Sequence, residues 1–125
     1  MAVSSLDHYT INTADLDASV AFYAEVLGLR NGERPAFGFP GAWLYCGDHP
    51  VVHLIGGDRR SNGGTGAIDH IAFRASGLGE YKRRLNALGI PFKERDVPDQ
   101  PLHQVFLEDP DGVTIEINFR DEAPA

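Results

Sequence analysis

This chain of 125 residues lacks what several classes of protein require. It has one cysteine, Cys46, which excludes an internal disulfide, fits a reducing compartment and is expected to pack in the core. No apolar run approaches the roughly 20 residues of a membrane helix, and residues 1–5 show no signal-peptide pattern. Basic residues number 11 against 18 acidic ones, and the net charge of −7 argues against nucleic acid as the main partner. We therefore expect one cytoplasmic domain, with no membrane or nucleic-acid partner.

What the chain does contain is a repeat. The order apolar residue, Asp, His occurs at Leu6-Asp7-His8 and returns 62 positions later at Ile68-Asp69-His70. After each copy, apolar residues recur at helical spacing up to a glycine, Gly28 in the first half and Gly89 in the second. Three strand patterns follow each helix. The sequence thus predicts two tandem βαβββ modules, about residues 5–57 and 67–120, joined by a glycine-rich linker at about 58–66.

The predicted fold class is α+β. A sheet of four strands with one helix on it leaves its second face uncovered, so two modules side by side would form an open, cup-shaped mixed β-sheet with the helices outside. Either Thr13 or Asp15 is the expected N-cap of the first helix, and Ser76 that of the second. The polar tail from Arg120 onwards is expected to be frayed.

Four polar residues occupy matching places in the two modules. His8 and His70 lie in the first strand of each, and His53 and Glu116 follow in the last strand, 45 and 46 positions later. Imidazole and carboxylate groups that converge from strands suit a divalent metal such as Fe, Mn, Ni or Zn. We predict metal ligation by His8, His70 and Glu116, while for His53 ligation and a buried structural role both stay open.

Further candidates are expected to shape or serve the same site. Trp43, Tyr45 and Phe106 are predicted to line a substrate pocket, and His103 is a candidate catalytic residue beside Glu116 and His53, although the pattern leaves the orientation of His103 undecided. Arg59 lies in the linker, where it is either solvated or binds an anionic part of the substrate.

The chain resembles the vicinal oxygen chelate superfamily of glyoxalases, bleomycin resistance proteins and extradiol dioxygenases. The segments that carry the resemblance are Leu6-Asp7-His8, residues 17–23 with 26–29, residues 68–73, and residues 106–116, which include Asp109-Pro110-Asp111-Gly112 followed by Ile115-Glu116.

This resemblance implies paired βαβββ modules and a metal held at the positions of His8, His70 and Glu116, with the place of His53 filled by different residues in different members. It also implies a homodimer acting on a small oxygenated substrate, by glyoxalase-like lyase or isomerase chemistry or as an extradiol-type dioxygenase. A glyoxalase-like enzyme would have only Glu116 as a carboxylate ligand, because His53 holds the other usual carboxylate place. In a dioxygenase-like enzyme Phe106 would stand where an acid-base tyrosine is usual, and a fosfomycin transferase-like enzyme would share the same three ligands.

Two other classes of function compete with the enzyme. The first is a non-catalytic, bleomycin-resistance-like binder of small molecules or antibiotics, for which the charge of −7 would suit a cationic ligand. The second is a structural or regulatory domain without activity.

Overall fold

A computed structural model describes residues 5–57, 68 and 70–122 of the chain. The chain divides into two compact units, Met1–Asn62 and Gly63–Ala125. The predicted linker, including Arg59, lies outside the described residues, so the module boundaries remain a prediction.

The first unit contains one helix and one four-stranded sheet. Its elements are β1 (Tyr9–Asn12), α1 (Leu16–Leu27), β2 (Arg30–Gly32), β3 (Gly41–Cys46) and β4 (His49–Ile55). The strand order is β1-β4-β3-β2, with β1 parallel to β4 and the other neighbours antiparallel.

The second unit repeats this arrangement. It consists of β5 (Ile71–Ala75), α2 (Leu78–Leu88), β6 (Lys93–Asp96), β7 (Leu102–Glu108) and β8 (Thr114–Arg120). The strand order is β5-β8-β7-β6, and again only the first pair is parallel. The predicted α+β fold of two βαβββ modules is confirmed, although β1 and β5 begin just after His8 and His70 rather than before them.

The strand pairings within each sheet show which residues of the two units are equivalent. In the first unit His53 pairs with Thr10 on one side and with Trp43 on the other. In the second unit Glu116 pairs with Ala72 and Phe106. His53 and Glu116 therefore occupy the same place in the two sheets.

The apolar face of each sheet forms the core. In the first unit Leu44 and Val52 are fully buried, as is Tyr23 of α1. In the second, Phe119 of β8 is fully buried and lies 5.7 Å, between ring centroids, from Tyr81 of α2. Each buried side chain of this size contributes about 2 kcal/mol to folding.

The helix caps agree with the sequence only in part. Asp15 caps α1, because its Oδ1 accepts a hydrogen bond from the Ala18 amide at 3.0 Å. The prediction of Ser76 as the N-cap of α2 is wrong: the N-cap is Gly77, which has a φ of 84° that suits glycine. The capping carboxylate is instead that of Glu122, which accepts from the amides of Gly77 and Leu78, so the chain is not frayed at this residue.

Cys46 is exposed, and the prediction that it packs in the core is wrong. It is the last residue of β3, next to the Gly47-Asp48 turn, and the strand pairing shifts between Leu44 and Tyr45. That shift and the turn remove Cys46 from the buried face. Neither helix among the described residues has the length and apolar character needed to cross a membrane.

Candidate functional site

The second unit brings together His70 and Glu116. Glu116 lies in the middle of β8, on the face opposite Phe119 and helix α2, and is 7% exposed. His70 immediately precedes β5, the parallel neighbour of β8. The imidazole Nε2 and the carboxylate Oε1 are 3.2 Å apart.

A line of hydrogen bonds across the sheet holds the other carboxylate oxygen. Asn118 donates from Nδ2 to Glu116 Oε2 at 2.8 Å. Gln104 donates to Asn118 Oδ1 at 3.1 Å, and Arg95 Nε donates to Gln104 Oε1 at 2.8 Å. The sequence pattern gives no sign of this role for Arg95, Gln104 or Asn118. The alternation in β8 already placed Asn118 on the face of Glu116, but the cross-strand partners require the observed register.

In the first unit, three rings form a stack. The centroids of His8 and His53 are 3.8 Å apart with an angle of 9° between the planes, and those of His53 and Trp43 are 4.2 Å apart at 13°. Asp7 Oδ2 lies 2.6 Å from His8 Nδ1. This hydrogen bond lowers the pKa of Asp7 below its ordinary value and orients the ring, which leaves Nε2 of His8 as the nitrogen for a ligand.

His53 has a buried nitrogen. Its Nε2 has no hydrogen-bond partner among the residues that the structure describes. Burial, and then the proximity of His8, lowers the pKa of His53 below 6.5, while the Pro50 carbonyl acts in the opposite direction. A neutral His53 with its lone pair on Nε2 would bind a metal or accept a hydrogen bond there.

The donor atoms can be tested against the needs of a divalent metal. Two ligands that each lie about 2.1 Å from one cation are about 3.0 to 3.4 Å apart, so the 3.2 Å between His70 and Glu116 fits a shared cation. The nearly parallel rings of His8 and His53 do not aim their in-plane lone pairs at one point, so both can bind the same ion only if one ring turns. Within the described part of the chain, no three His, Cys, Asp or Glu side chains form a metal-binding group. Each unit thus offers a pair of donors, and the pair in the second unit fits best.

His103 is not brought to Glu116. It pairs with Phe119 across β7 and β8, which places it on the face that carries α2, and it is 4% exposed. Its two ring nitrogens contact Asp96 at 2.7 Å and Glu94 at 2.8 Å. Burial acts to lower the pKa of His103, but the hydrogen bonds to Asp96 and Glu94 outweigh it and raise the pKa above 6.5. These contacts give His103 a structural role in the fold. Its catalytic role stays an untested prediction.

The predicted aromatic residues lie beside these groups. Trp43 and Tyr45 line a cavity of about 480 Å³, and Trp43 also lines a smaller one of about 150 Å³ together with His53. Phe106 pairs with Glu116 and lines a cavity of about 450 Å³ in the second unit. Arg59 lies outside the described residues.

Comparison with known proteins identifies the family of this fold. Over 98% of its length the chain is 30% identical to "Glyoxylase I 4" of Arabidopsis thaliana, of which the match covers 74%. It is also 30% identical to "Probable lactoylglutathione lyase" of Vibrio parahaemolyticus, covering 94% of this chain and 92% of that protein. The crystal structure of a genomically encoded fosfomycin resistance protein from Listeria monocytogenes has the same fold, with a TM-score of 0.76, 22% identity and 94% of each chain covered. A variant of that protein was crystallised with Mn(II) and 1S,2S-dihydroxypropylphosphonic acid.

The profile of one family matches residues 5–117, which is nearly the whole of the two βαβββ units and includes both donor pairs. The chain belongs to the Glyoxalase/Bleomycin resistance protein/Dioxygenase superfamily.

Proposed function

We propose that this chain is a metal-dependent enzyme that acts on a small oxygenated substrate, which binds a divalent cation through two oxygens. The observation that carries the proposal is the pair formed by His70 Nε2 and Glu116 Oε1, 3.2 Å apart, with the second oxygen of Glu116 held by Asn118. A buried carboxylate that faces an imidazole across this distance has the donor atoms and the spacing for a shared cation.

His8, His70 and Glu116 would be the ligands, with His53 as a further ligand or a substrate contact. The cation would polarise the substrate oxygens as a Lewis acid, and Mn, Fe, Ni and Zn all suit this donor set. Asp7 fixes the ring of His8, as outer partners of metal-bound histidines commonly do.

The residues of the chain provide two places to hold a proton. Glu116 is the first, and it would use Oε1 when this oxygen is not bound to the cation, because Oε2 already accepts a hydrogen bond from Asn118. Nε2 of His53 is a second candidate, because the ring is favoured in its neutral form and this nitrogen has no partner in the described part of the chain. Both are candidate general bases for removing a proton from a bound substrate.

The names of the relatives support one reaction class. Two of them, each 30% identical, carry names of glyoxalase and lactoylglutathione lyase type, which supports lyase or isomerase chemistry. Dioxygenase chemistry is the second candidate, because two histidines and one carboxylate are also the set that binds Fe(II) in non-haem oxygenases.

Because each unit supplies a pair of donors, a complete ligand set needs two units, either of one chain or of two. The family resemblance implies a dimer, and we propose a homodimer. Light scattering on the purified protein measures this directly, and a monomer with full metal content would assign both units of the site to one chain.

Metal analysis tests the proposal. Purified protein is expected to bind about one equivalent of Mn(II), Fe(II), Ni(II) or Zn(II) per chain, and both His70→Ala and Glu116→Gln should lose this binding. His103→Gln serves as the control, because His103 lies on the other face of its sheet and the variant should keep the metal. Absence of stoichiometric metal, or an unchanged affinity in His70→Ala, would contradict the proposal.

Activity is then measured on the metal-loaded protein with three substrates: the glutathione hemithioacetal of methylglyoxal, catechols and fosfomycin. Turnover of the first supports the lyase and turnover of catechols the dioxygenase. Turnover that persists in Glu116→Gln would remove Glu116 from the chemistry.

A further inference from the structure

A cation and several aromatic rings meet in the first unit. Arg34 lies in the segment between β2 and β3, together with Phe37 and Phe39. Its guanidinium carbon is 5.0 Å from the centroid of each phenylalanine ring, and the two rings stack on each other at 5.4 Å. Both rings remain exposed, by 48% and 41%.

The charge of Arg34 is not neutralised within the described part of the chain. Its Nη2 donates one hydrogen bond, to the Phe39 carbonyl at 3.0 Å, and no carboxylate lies within ion-pair distance of it among the described residues. Glu33 lines the larger cavity beside it but forms no such pair there. A guanidinium carries five N–H donors, so most of those of Arg34 remain for an anion. The protein has a net charge of −7, so the positive charge of Arg34 is a local exception to its overall negative charge.

Arg34 lines a cavity that matches one aromatic ring in size and character. The cavity has a volume of about 150 Å³ and is walled mainly by apolar groups, among them Phe37 and Trp43, with Thr10 and His53 as polar members. An apolar cavity of about 150 Å³ in another protein holds one benzene molecule. Trp43 lies flat against His53, at 13° between the planes, and its ring centroid is 6.1 Å from that of Phe37, so aromatic rings form part of the wall. Apolar walls with a few polar groups are typical of ligand sites.

We propose that this cavity binds a small aromatic carboxylate, with the carboxylate on Arg34 and the ring against Phe37 and Trp43, beside His53. The ligand class follows from the parts: a planar fork of donors suits a carboxylate, and flat apolar walls suit a ring. This inference rests on the proposed function only in taking the bound molecule as a substrate or a fragment of one, since binding at Arg34 itself requires no metal.

The single tryptophan of the chain makes the test direct. Trp43 is the only tryptophan, and it lines the cavity, so its fluorescence reports on a molecule bound there. Metal-free protein in excess chelator is titrated with benzoate, with the neutral isostere benzamide and with the cation benzamidine. Benzoate is expected to change the fluorescence of Trp43 saturably and to bind at least about tenfold more tightly than benzamide, because an ionised acceptor strengthens the hydrogen bonds of Arg34.

Two variants locate the interaction. In Arg34→Gln the affinity for benzoate should fall by at least about tenfold and approach that for benzamide. Arg30→Gln is the matched control: Arg30 lies over the Tyr45 ring at 4.8 Å, does not line the cavity, and should leave the affinity within about twofold. Far-ultraviolet circular dichroism verifies that the variants are folded, and Arg34→Lys, which retains the charge without the fork, should show an intermediate loss.

The outcomes are distinct. Equal affinities for benzoate and benzamide in the wild-type protein would overturn the inference without any variant, and tighter binding of benzamidine would replace it with a cation-binding cavity. Equal losses in Arg30→Gln and Arg34→Gln would show a general charge effect and also overturn it. Benzoate binding in a protein that takes up no metal would leave this inference standing while the proposed enzyme fails. Metal binding with no selective benzoate binding would overturn this inference and leave the proposed enzyme standing.

Discussion

Asn118 donates a hydrogen bond from its Nδ2 to Oε2 of Glu116 over 2.8 Å, within one face of β8. Glu116 is 7% exposed, and a carboxylate with so little access to water needs donors from the protein. This contact occupies one oxygen and leaves the other towards His70. Asn118 therefore acts as a positioning residue for the proposed metal ligand.

Replacement of Asn118 should weaken metal binding without removing a ligand. Loss of a group that orients a ligand costs about 10- to 100-fold in metal affinity, so we expect that range for Asn118→Ala. Calorimetric titration with Mn(II) or Zn(II) measures the change. Asn31→Ala, at an exposed position of β2, is the control and should retain full affinity. An unchanged affinity in Asn118→Ala would show that Glu116 needs no such support.

The stability of the second unit should depend on pH through His103. Hydrogen bonds to Asp96 and Glu94 outweigh burial and raise the pKa of His103 above 6.5 in the folded protein. The stabilisation is thus complete below about pH 6.5 and is lost as pH rises through the folded pKa. We expect the free energy of unfolding in urea to fall across that interval in the wild type, and to lose this dependence in His103→Gln.

The neighbours of His103 titrate in a different interval. Lys82 lies 3.0 Å from Glu94, and its hydrogen bond, followed by that of His103, lowers the pKa of Glu94 below 4.5. That contribution is present above pH 4.5 and is lost only as pH falls through the folded pKa of Glu94, so it does not overlap with that of His103. A pH dependence above pH 6.5 that persists in His103→Gln would assign it to other groups.

Glu122, which follows β8, should stabilise the N-terminus of helix α2. Its carboxylate accepts from the amides of Gly77 at 3.0 Å and Leu78 at 2.8 Å, at the positive end of the helix dipole. We expect Glu122→Ala to lower the free energy of unfolding by about 1 kcal/mol and Glu122→Gln to cost less, because the amide retains an acceptor. Urea denaturation measures both. Glu25→Ala, at an exposed position within α1, should change stability by less than about 0.5 kcal/mol.

Cys46 should react in the folded protein. Since the thiol is exposed at the end of β3, we expect a chromogenic disulfide reagent to modify one thiol per chain without denaturant. Reaction only after unfolding would show that another surface covers Cys46. Cys46→Ser is the control for the colour reaction and should leave the fold intact.

Most of the fold was predictable because its signals are local. The helical stripes that end at Gly28 and Gly89, and the alternation in β8, depend on residues a few positions apart. The same alternation correctly separated Glu116 and Asn118 from Phe119 and its apolar neighbours.

The candidate site was predictable only in outline. Its repeated residues selected His8, His70, His53 and Glu116 as candidates, and the registers show that His53 and Glu116 occupy equivalent places. The sequence could not orient His103, because one position of register decides which face of β7 it joins. Neither could it select Arg34, whose surroundings are made by a loop and three strands.

By itself, the sequence of this protein determined the duplicated βαβββ plan and the residue types at the repeated positions, since both depend on spacing along the chain. The tertiary structure decided which groups touch: Glu122 rather than Ser76 on the start of α2, Asn118 on Glu116, and His8 stacked on His53. Such contacts join residues brought together by strand pairing and helix packing, and their geometry exists only once the chain has folded.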